Sequence, residues 1–498
     1  MPMTKAIVIG AGFGGIAAAL RLKAKGYDVT LIDRAKQLGG RAQTFEKQGF
    51  LFDAGPTVIT APHLFSELFD LFDKDISNYV DIVPVDPWYR FYYPDGDTFD
   101  YGDSLEKTLL EIERIAPQDK AGYLKLIKSS EAIFDVGFSQ LSDKPFHSIT
   151  TMFKQVPSLM KLKSYLSVWQ FVCNHLEHDK LRQAFSIQPL LVGGNPFDTT
   201  CIYNLIHFLE LKWGIHFAKG GMGAVVRALE RLMREQGIHI QLDTTIEKIN
   251  TSNRLAHSVV TTDNQTYDCD LVVSNTDPKY LYQNMVAKDE ISFSAKIKTK
   301  FAKPSMGLYV LYFGTNRTYD DIAHHTIWLG KRYQGLLSDI FDKQILADDF
   351  SLYLHRPTAT DPSMAPDGCD SFYVLSPVPN LQGGQNWDEL RDTYATKILN
   401  ALEQTILPNL KSHLVVQFDM TPEEFASDYL SVDGSGFSIA PSLSQSAWFR
   451  FHNRAEGLDN LYLTGAGTHP GAGVPGVLSS AKVLEHLIPS LITRSTSS

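Results

Sequence analysis

The sequence predicts an α/β protein in which a nucleotide-binding domain on a parallel sheet is interrupted by an inserted α+β domain. Three observations carry this. Lys5–Gly15 reads as a strand, a tight glycine turn and a helix. Asp270–Asn275 returns, much later, as a buried strand ending in a polar turn. Asn460–Lys482 is a further strand, a glycine-rich loop and a helix.

Ala6 to Ile9 is a short apolar run of buried-strand type, and Gly10-x-Gly12-x-x-Gly15 follows it, opening an amphipathic stretch, Ile16 to Lys25, that stops at Gly26. Gly10 permits the turn and Gly12 lets a pyrophosphate approach the backbone. Gly15 lets the helix lie close to the strand, so that free N–H groups at the helix start can hold phosphate. The strand Asp28–Asp33 then delivers a carboxylate 18 residues after Gly15, near the spacing of about 20 expected for an acid on an adenosine ribose. The unit reads as a Rossmann-like dinucleotide site.

With 498 residues, 44% of them hydrophobic and 20% charged, the chain has material for two or three globular domains. A net charge of −10 offers no basic excess for phosphates, so no nucleic-acid partner is expected. Cys173, Cys201, Cys269 and Cys369 form no C-x-x-C pair, which suggests neither zinc nor a redox pair and fits a reducing cytoplasm. The first apolar residues belong to the first strand rather than to an export signal, and no apolar run reaches the length of a membrane span.

Gly39-Gly40-Arg41 and Gly55-Pro56-Thr57 follow the second strand. The first can bring backbone and a guanidinium to the same pyrophosphate, unless Arg41 makes an ordinary surface ion pair. The second makes a rigid turn. Here the chain resembles the two-dinucleotide-binding-domain flavoproteins, the group of amine oxidases and carotene desaturases, and the resemblance implies that the first motif binds FAD.

Trp88–Tyr93 and Phe99–Tyr101 flank Pro94-Asp-Gly96 and read as a β-hairpin, either the wall of an apolar tunnel or plain sheet core. Leu105, Leu109 and Ile112 mark a helix ending before Pro117. From Lys144 to Leu176 there is no Asp or Glu. Met152, Phe153 and Val156 precede Pro157. Leu162, Tyr165, Leu166, Trp169 and Val172 then recur at helical spacing among Lys154, Lys161 and Lys163. This is either a membrane-surface helix or a domain helix with a solvated lysine face.

His207 and Glu210 lie three apart in the apolar segment Ile202–Phe217. Isolation there would raise the Glu210 pKa and make it a candidate proton acceptor, the alternative being a paired or solvent-facing carboxylate. Gly220–Gly223 opens another helix. Ile238–Leu242, Thr245–Ile249 and the Asp270 strand return the chain to the nucleotide domain. The expected division is residues 1–100, 220–289 and 436–498 for the FAD-binding domain. Residues 101–219 and 290–435 form the substrate- and membrane-facing one. His324-His325 lacks a third ligand at a recognisable spacing, so no metal site is expected.

The segment Asn460–Lys482 looks like the C-terminal signature of the bacterial and fungal type of phytoene desaturase. Tyr353–Ser363, Ser376–Pro379 and Gln445–Arg450 are similar to further blocks of that family, so the resemblance runs essentially end to end. Amine oxidases usually place an acid after the first glycine of the closing loop, where this chain has Ala466. The resemblance implies FAD held by Gly10, Gly12, Gly15, Asp33, Gly40, Arg41, Gly55, Pro56, Thr57, Ile246, Gly465, Gly467, Gly473 and Val474. It also implies hydride removal from a linear polyene such as phytoene, giving a lycopene-type product. Reoxidation by a quinone or oxygen and work at the inner face of a membrane, on the cytoplasmic side, are further implications. Another carotenoid as substrate, a flavin-dependent carotene isomerase and a carotenoid carrier are the alternatives. No second nucleotide unit occurs, so FAD must do the chemistry.

Overall fold

The computed structural model describes residues 4–146 and 160–492. The sequence reading of Met152, Phe153, Lys154, Val156 and Pro157 lies outside the described residues.

A five-stranded parallel sheet takes its strands in the order Leu461–Leu463, Leu271–Ser274, Lys5–Ile9, Asp28–Ile32, His239–Gln241. The helix Phe13–Ala24 follows the first strand directly and packs against Val474–Leu487, the helix after the last. Ile16, Leu20, Val225, Leu229, Leu478 and Leu484 share one apolar core beneath the sheet. Two glycines are dictated by this geometry. Gly10 has φ 93°, where an L side chain is strained, and a Cβ on Gly15 would lie 1.8 Å from the Gly10 carbonyl oxygen.

A seven-stranded mixed sheet runs Leu414–Met420, Gly307–Thr315, Asp370–Val378, Leu352–His355, His325–Trp328, Tyr89–Tyr92, Thr98–Tyr101. Gly307–Thr315 is buried along all nine residues. Tyr309, Leu311 and Phe313 face Trp387, Ile398 and Leu402 of a long helix, while Leu308, Val310 and Tyr312 face Phe50, Phe52 and Leu336. This is the alternation of a strand covered on both sides.

The hairpin Tyr89–Tyr101 forms as its pattern implies, but it joins this second sheet. Tyr89–Tyr92 pairs in parallel with His325–Trp328. Residues 89–100, grouped with the nucleotide domain in the sequence reading, therefore hydrogen-bond into the other sheet. Their partner strand lies more than 200 residues away, and local patterning carries no sign of it.

The helical spacing over Leu162–Val172 also differs in the structure. Only Val168–Cys173 is α-helical there, started by a capping box in which the Ser167 side chain and Gln170 satisfy each other's backbone N–H groups. Ahead of it the chain turns, with Lys163 at φ 56°. Trp169 packs on Phe197 and Tyr333, so that part of the stripe is core. Among the described residues no helix is long and apolar enough to cross a membrane.

Candidate active site

The two sheets meet across one cavity of about 1240 Å³, larger than the 300–1,000 Å³ of ordinary small-molecule sites. One end is glycine-rich and polar; the other is walled by leucines, isoleucines and aromatics. Of the residues singled out in the sequence, Gly10, Gly12, Asp33, Gly40, Arg41, Gly55, Pro56, Thr57, Glu210, Ile246, Gly465, Gly473 and Val474 all line it. Gly15 and Gly467 do not. Gly15 serves the helix–strand contact, and a Cβ on Gly467 would meet Pro278 at 2.3 Å, so both act from behind the wall.

At the polar end the two helices Phe13–Ala24 and Val474–Leu487 begin at Gly12 and Gly473, and neither N-terminus is capped by a side chain. Two sets of free N–H groups and two positive dipole ends thus open on the same space. Asp33 Oδ2 accepts from the Ala11 N–H at 2.5 Å and Oδ1 from the Ala35 N–H at 2.7 Å. Burial pushes this carboxyl up while those N–H groups pull it down. Arg41 donates from Nη2 to the Ser431 hydroxyl, and its buried Nε has no partner.

At the apolar end Glu210 projects from the helix Leu205–Trp213 and is fully buried. The Tyr89 hydroxyl donates to its Oε1 at 3.4 Å. Burial pushes the carboxyl up to about 8, with the Tyr101 and Tyr89 hydroxyls pulling back, so it is protonated at neutral pH. His207, on the same helix, faces away from the cavity. Its Nε2 donates to the Phe185 carbonyl at 2.9 Å, and burial pulls it down to about 4. Of the hairpin aromatics Tyr89 reaches the cavity wall, while Trp88, Phe91, Tyr93 and Phe99 are sheet core.

The chain matches the family described as flavin containing amine oxidoreductase over residues 13–483. The chain belongs to that family. It is 43% identical over 487 residues to a phytoene desaturase (lycopene-forming) of Pseudescherichia vulneris, covering 98% of this chain and 99% of that one. It is 40% identical over 494 residues to a phytoene desaturase (neurosporene-forming) of Rhodobacter capsulatus, covering 98% and 94%. In fold it is similar to an oxidoreductase from Methanosarcina mazei, with TM-score 0.65, 17% identity and coverage of 97% and 100%.

As a flavin containing amine oxidoreductase the chain uses FAD, and the polar end fits that group. Two uncapped helix starts and the unpartnered Arg41 Nε are donors awaiting an anion, and Asp33 offers a carboxylate at the end of the second strand.

Other residues of this flavoprotein's site escape a linear reading. Asn275, immediately after the distant Leu271–Ser274 strand, sits directly behind the glycines: a Cβ on Gly12, Gly14 or Gly465 would lie 2.5–2.9 Å from its amide. Arg450, fully buried, donates to the carbonyls of Thr468, Gln445, Ile439 and Ala466, and so fixes the closing glycine loop from beneath. The block Gln445–Arg450 was visible, but a buried guanidinium aimed at backbone carbonyls leaves no pattern in sequence. His355 joins His324 and His325, 30 residues on, so a third imidazole is present where none was expected. One further surface was missed. Phe293, Ile297 and Phe301 are exposed on one stripe of the helix Phe293–Phe301, with Lys296 and Lys300 beside them.

Proposed function

We propose that the enzyme desaturates phytoene to a lycopene-type product with FAD, working from a membrane surface and passing electrons to a quinone or oxygen. The observation that carries this is the single cavity: a nucleotide-binding turn opens, without a dividing wall, into a long apolar space. Met160 and Tyr165, 58% and 60% exposed, are among the residues that line it. Near-full-length identity to phytoene desaturases supports the substrate.

When bound, FAD supplies an acceptor for a hydride from carbon next to a double bond. We assign its pyrophosphate to the N–H groups beyond Gly12 and Gly473 and to Gly40 and Arg41. Asp33 takes the adenosine ribose, and Gly55, Pro56, Thr57, Ile246 and Gly465–Val474 take the remainder. The apolar walls, among them Leu190, Leu205, Leu209 and Ile327, exclude water and hold an extended chain so that one bond at a time stands at the polar junction. The proposed division keeps the five-stranded sheet as the FAD-binding domain and assigns the substrate to residues 101–219 and 290–435, with the hairpin 89–101 added to the latter.

For the membrane, exposed Phe293, Ile297 and Phe301 lie on a helix whose Lys298 Nζ reaches the Trp448 carbonyl at 3.2 Å and the Arg450 carbonyl at 3.0 Å. Next to it Leu443 and Phe449, 47% and 44% exposed, belong to both the surface and the cavity wall. An apolar stripe among lysines beside a cavity mouth suits an anionic lipid surface.

The test is anaerobic incubation of FAD-loaded enzyme with phytoene in liposomes, followed by addition of a quinone. Bleaching of the flavin together with a new polyene spectrum, and turnover after quinone, is the expected result. Pigment formation with the flavin oxidised throughout and no acceptor present would instead mean an isomerase. No change with phytoene, but bleaching with a shorter or hydroxylated carotenoid, would move the substrate.

A further inference from the structure

A chain of hydrogen bonds leaves the cavity beside the Gly55–Thr57 turn and ends on an imidazole. Thr57 Oγ1 and the Tyr353 hydroxyl are 2.5 Å apart, and Tyr353 is 2.7 Å from His325 Nδ1. Thr57 and Tyr353 line the cavity, whereas His325 is fully buried behind them. Each hydroxyl has one proton to give. If Thr57 donates to Tyr353 and Tyr353 to the bare Nδ1 of His325, every link is satisfied and a Thr57 lone pair is left for the cavity.

Around His325 stand His355, at 5.4 Å between ring centres, His324 at 4.5 Å and Tyr89 at 5.7 Å. His355 Nε2 is 3.5 Å from the buried carboxylate of Asp53, whose charge is also felt at Tyr353. His324 is held by the Thr360 hydroxyl at 2.6 Å. Arg356, whose charge is felt at His324, is bound to Asp370 at 2.9 Å and to Asp320. Asp53 thus faces His355, the imidazole stacked beside His325.

We propose that Thr57, Tyr353 and His325 take up the proton released in the desaturation, His325 being its buried terminus. The inference rests on the reading given above, in which FAD takes the hydride. The C–H bond on the neighbouring carbon breaks, and its electron pair becomes the new C=C bond. The proton passes to Thr57 Oγ1, the Thr57 proton to the Tyr353 oxygen, and the Tyr353 proton to His325 Nδ1. Burial holds His325 neutral, with a free lone pair, and holds Glu210 protonated, so at neutral pH the imidazole can accept and the carboxyl cannot. A metal is the competing use of the three histidines. Their donor atoms lie within 4.8 Å of one another, a looser set than the separation of roughly 3.4 Å around a tetrahedral zinc with bonds of about 2.0 Å.

The experiment is single-turnover flavin bleaching by phytoene in liposomes, with Tyr353→Phe, Thr57→Val and Thr57→Ser beside the wild type. Loss of the relay should slow bleaching, taken per bound flavin, about 100-fold or more in the first two, with flavin content unchanged in Tyr353→Phe, and Thr57→Ser should restore it. The wild-type rate should be flat from pH 7 to 9. In histidine-labelled apoprotein, the ¹⁵N resonance of His325 Nδ1 should move on Tyr353→Phe, a readout independent of turnover. Wild-type rates in both Tyr353→Phe and Thr57→Val would overturn the relay. So would a rate that rises through about pH 8 and is abolished by Glu210→Gln, or stoichiometric metal in the purified protein. If the wild type itself fails to bleach, the desaturation reading falls first, and the NMR result still decides whether the hydrogen-bond chain exists.

Discussion

Glu210 is fully buried on a helix in an apolar wall, and among the described residues no ion pair reaches it. Its pKa in the folded protein is about 8, against an ordinary value of 4.5. The folded state thus keeps a proton that the unfolded chain releases, so this group's contribution to stability is complete below about pH 4.5. It is lost as pH rises through about 8. Glu210→Gln should flatten that part of the pH–stability curve, and chemical denaturation at pH 6 and pH 9 measures it. The variant gains relative to wild type at the higher pH. Arg450 makes the opposite case. Removing it by Arg450→Met strands buried carbonyls of Thr468 and Ala466, each worth roughly 1–3 kcal/mol. We expect at least a tenfold rise in the Kd for FAD, measured by fluorescence quenching, because the loop it fixes lines the cavity. The glycines were legible one by one, since each has a local steric reason. Arg450, Asn275 and His355 were not, since their partners come from distant segments.

At the scale of elements, the strand–glycine–helix units near the two ends of the chain were readable because every signal lies within about ten residues. The Gly15→Ala variant should confirm how tightly the first unit is built. Its Cβ has no room beside the Gly10 carbonyl, so the helix must lift from the strand, and we expect purified protein without flavin absorbance. The exposed helix Phe293–Phe301 was overlooked because three lysines among few apolar residues read as an ordinary solvated helix. Only the fold shows which face is left uncovered. Phe293→Glu with Phe301→Glu should reduce sedimentation with anionic liposomes about tenfold, while detergent-solubilised phytoene is still turned over. Conversely, the stripe around Trp169 read equally as a membrane-surface or a domain helix, and Trp169 is packed on Phe197 and Tyr333. Periodicity alone does not say which apolar face a neighbour will cover.

Across the whole molecule, the α/β class and the alternation of the chain between two domains followed from strand signals recurring far apart. The exact membership of the hairpin 89–101 did not, because sheet pairing is a property of two segments at once. The cavity is walled by both sheets, so a ligand filling it should tie them together. FAD at 100 times its Kd should add about 2.7 kcal/mol to stability, and calorimetry should show one transition at a raised Tm. Two separate transitions in the FAD-loaded protein would contradict this.

The strand Leu461–Leu463 closes the edge of the same sheet that Lys5–Ile9 occupies near its centre. The ribosome therefore finishes one half of the nucleotide cleft 458 residues after starting the other, and at about 5–20 residues per second that is an interval of roughly 20–90 s. During it Leu271–Ser274 stands without its outer neighbour and the second helix start is missing, so the cofactor cleft is complete only once the last segment of the chain has been made.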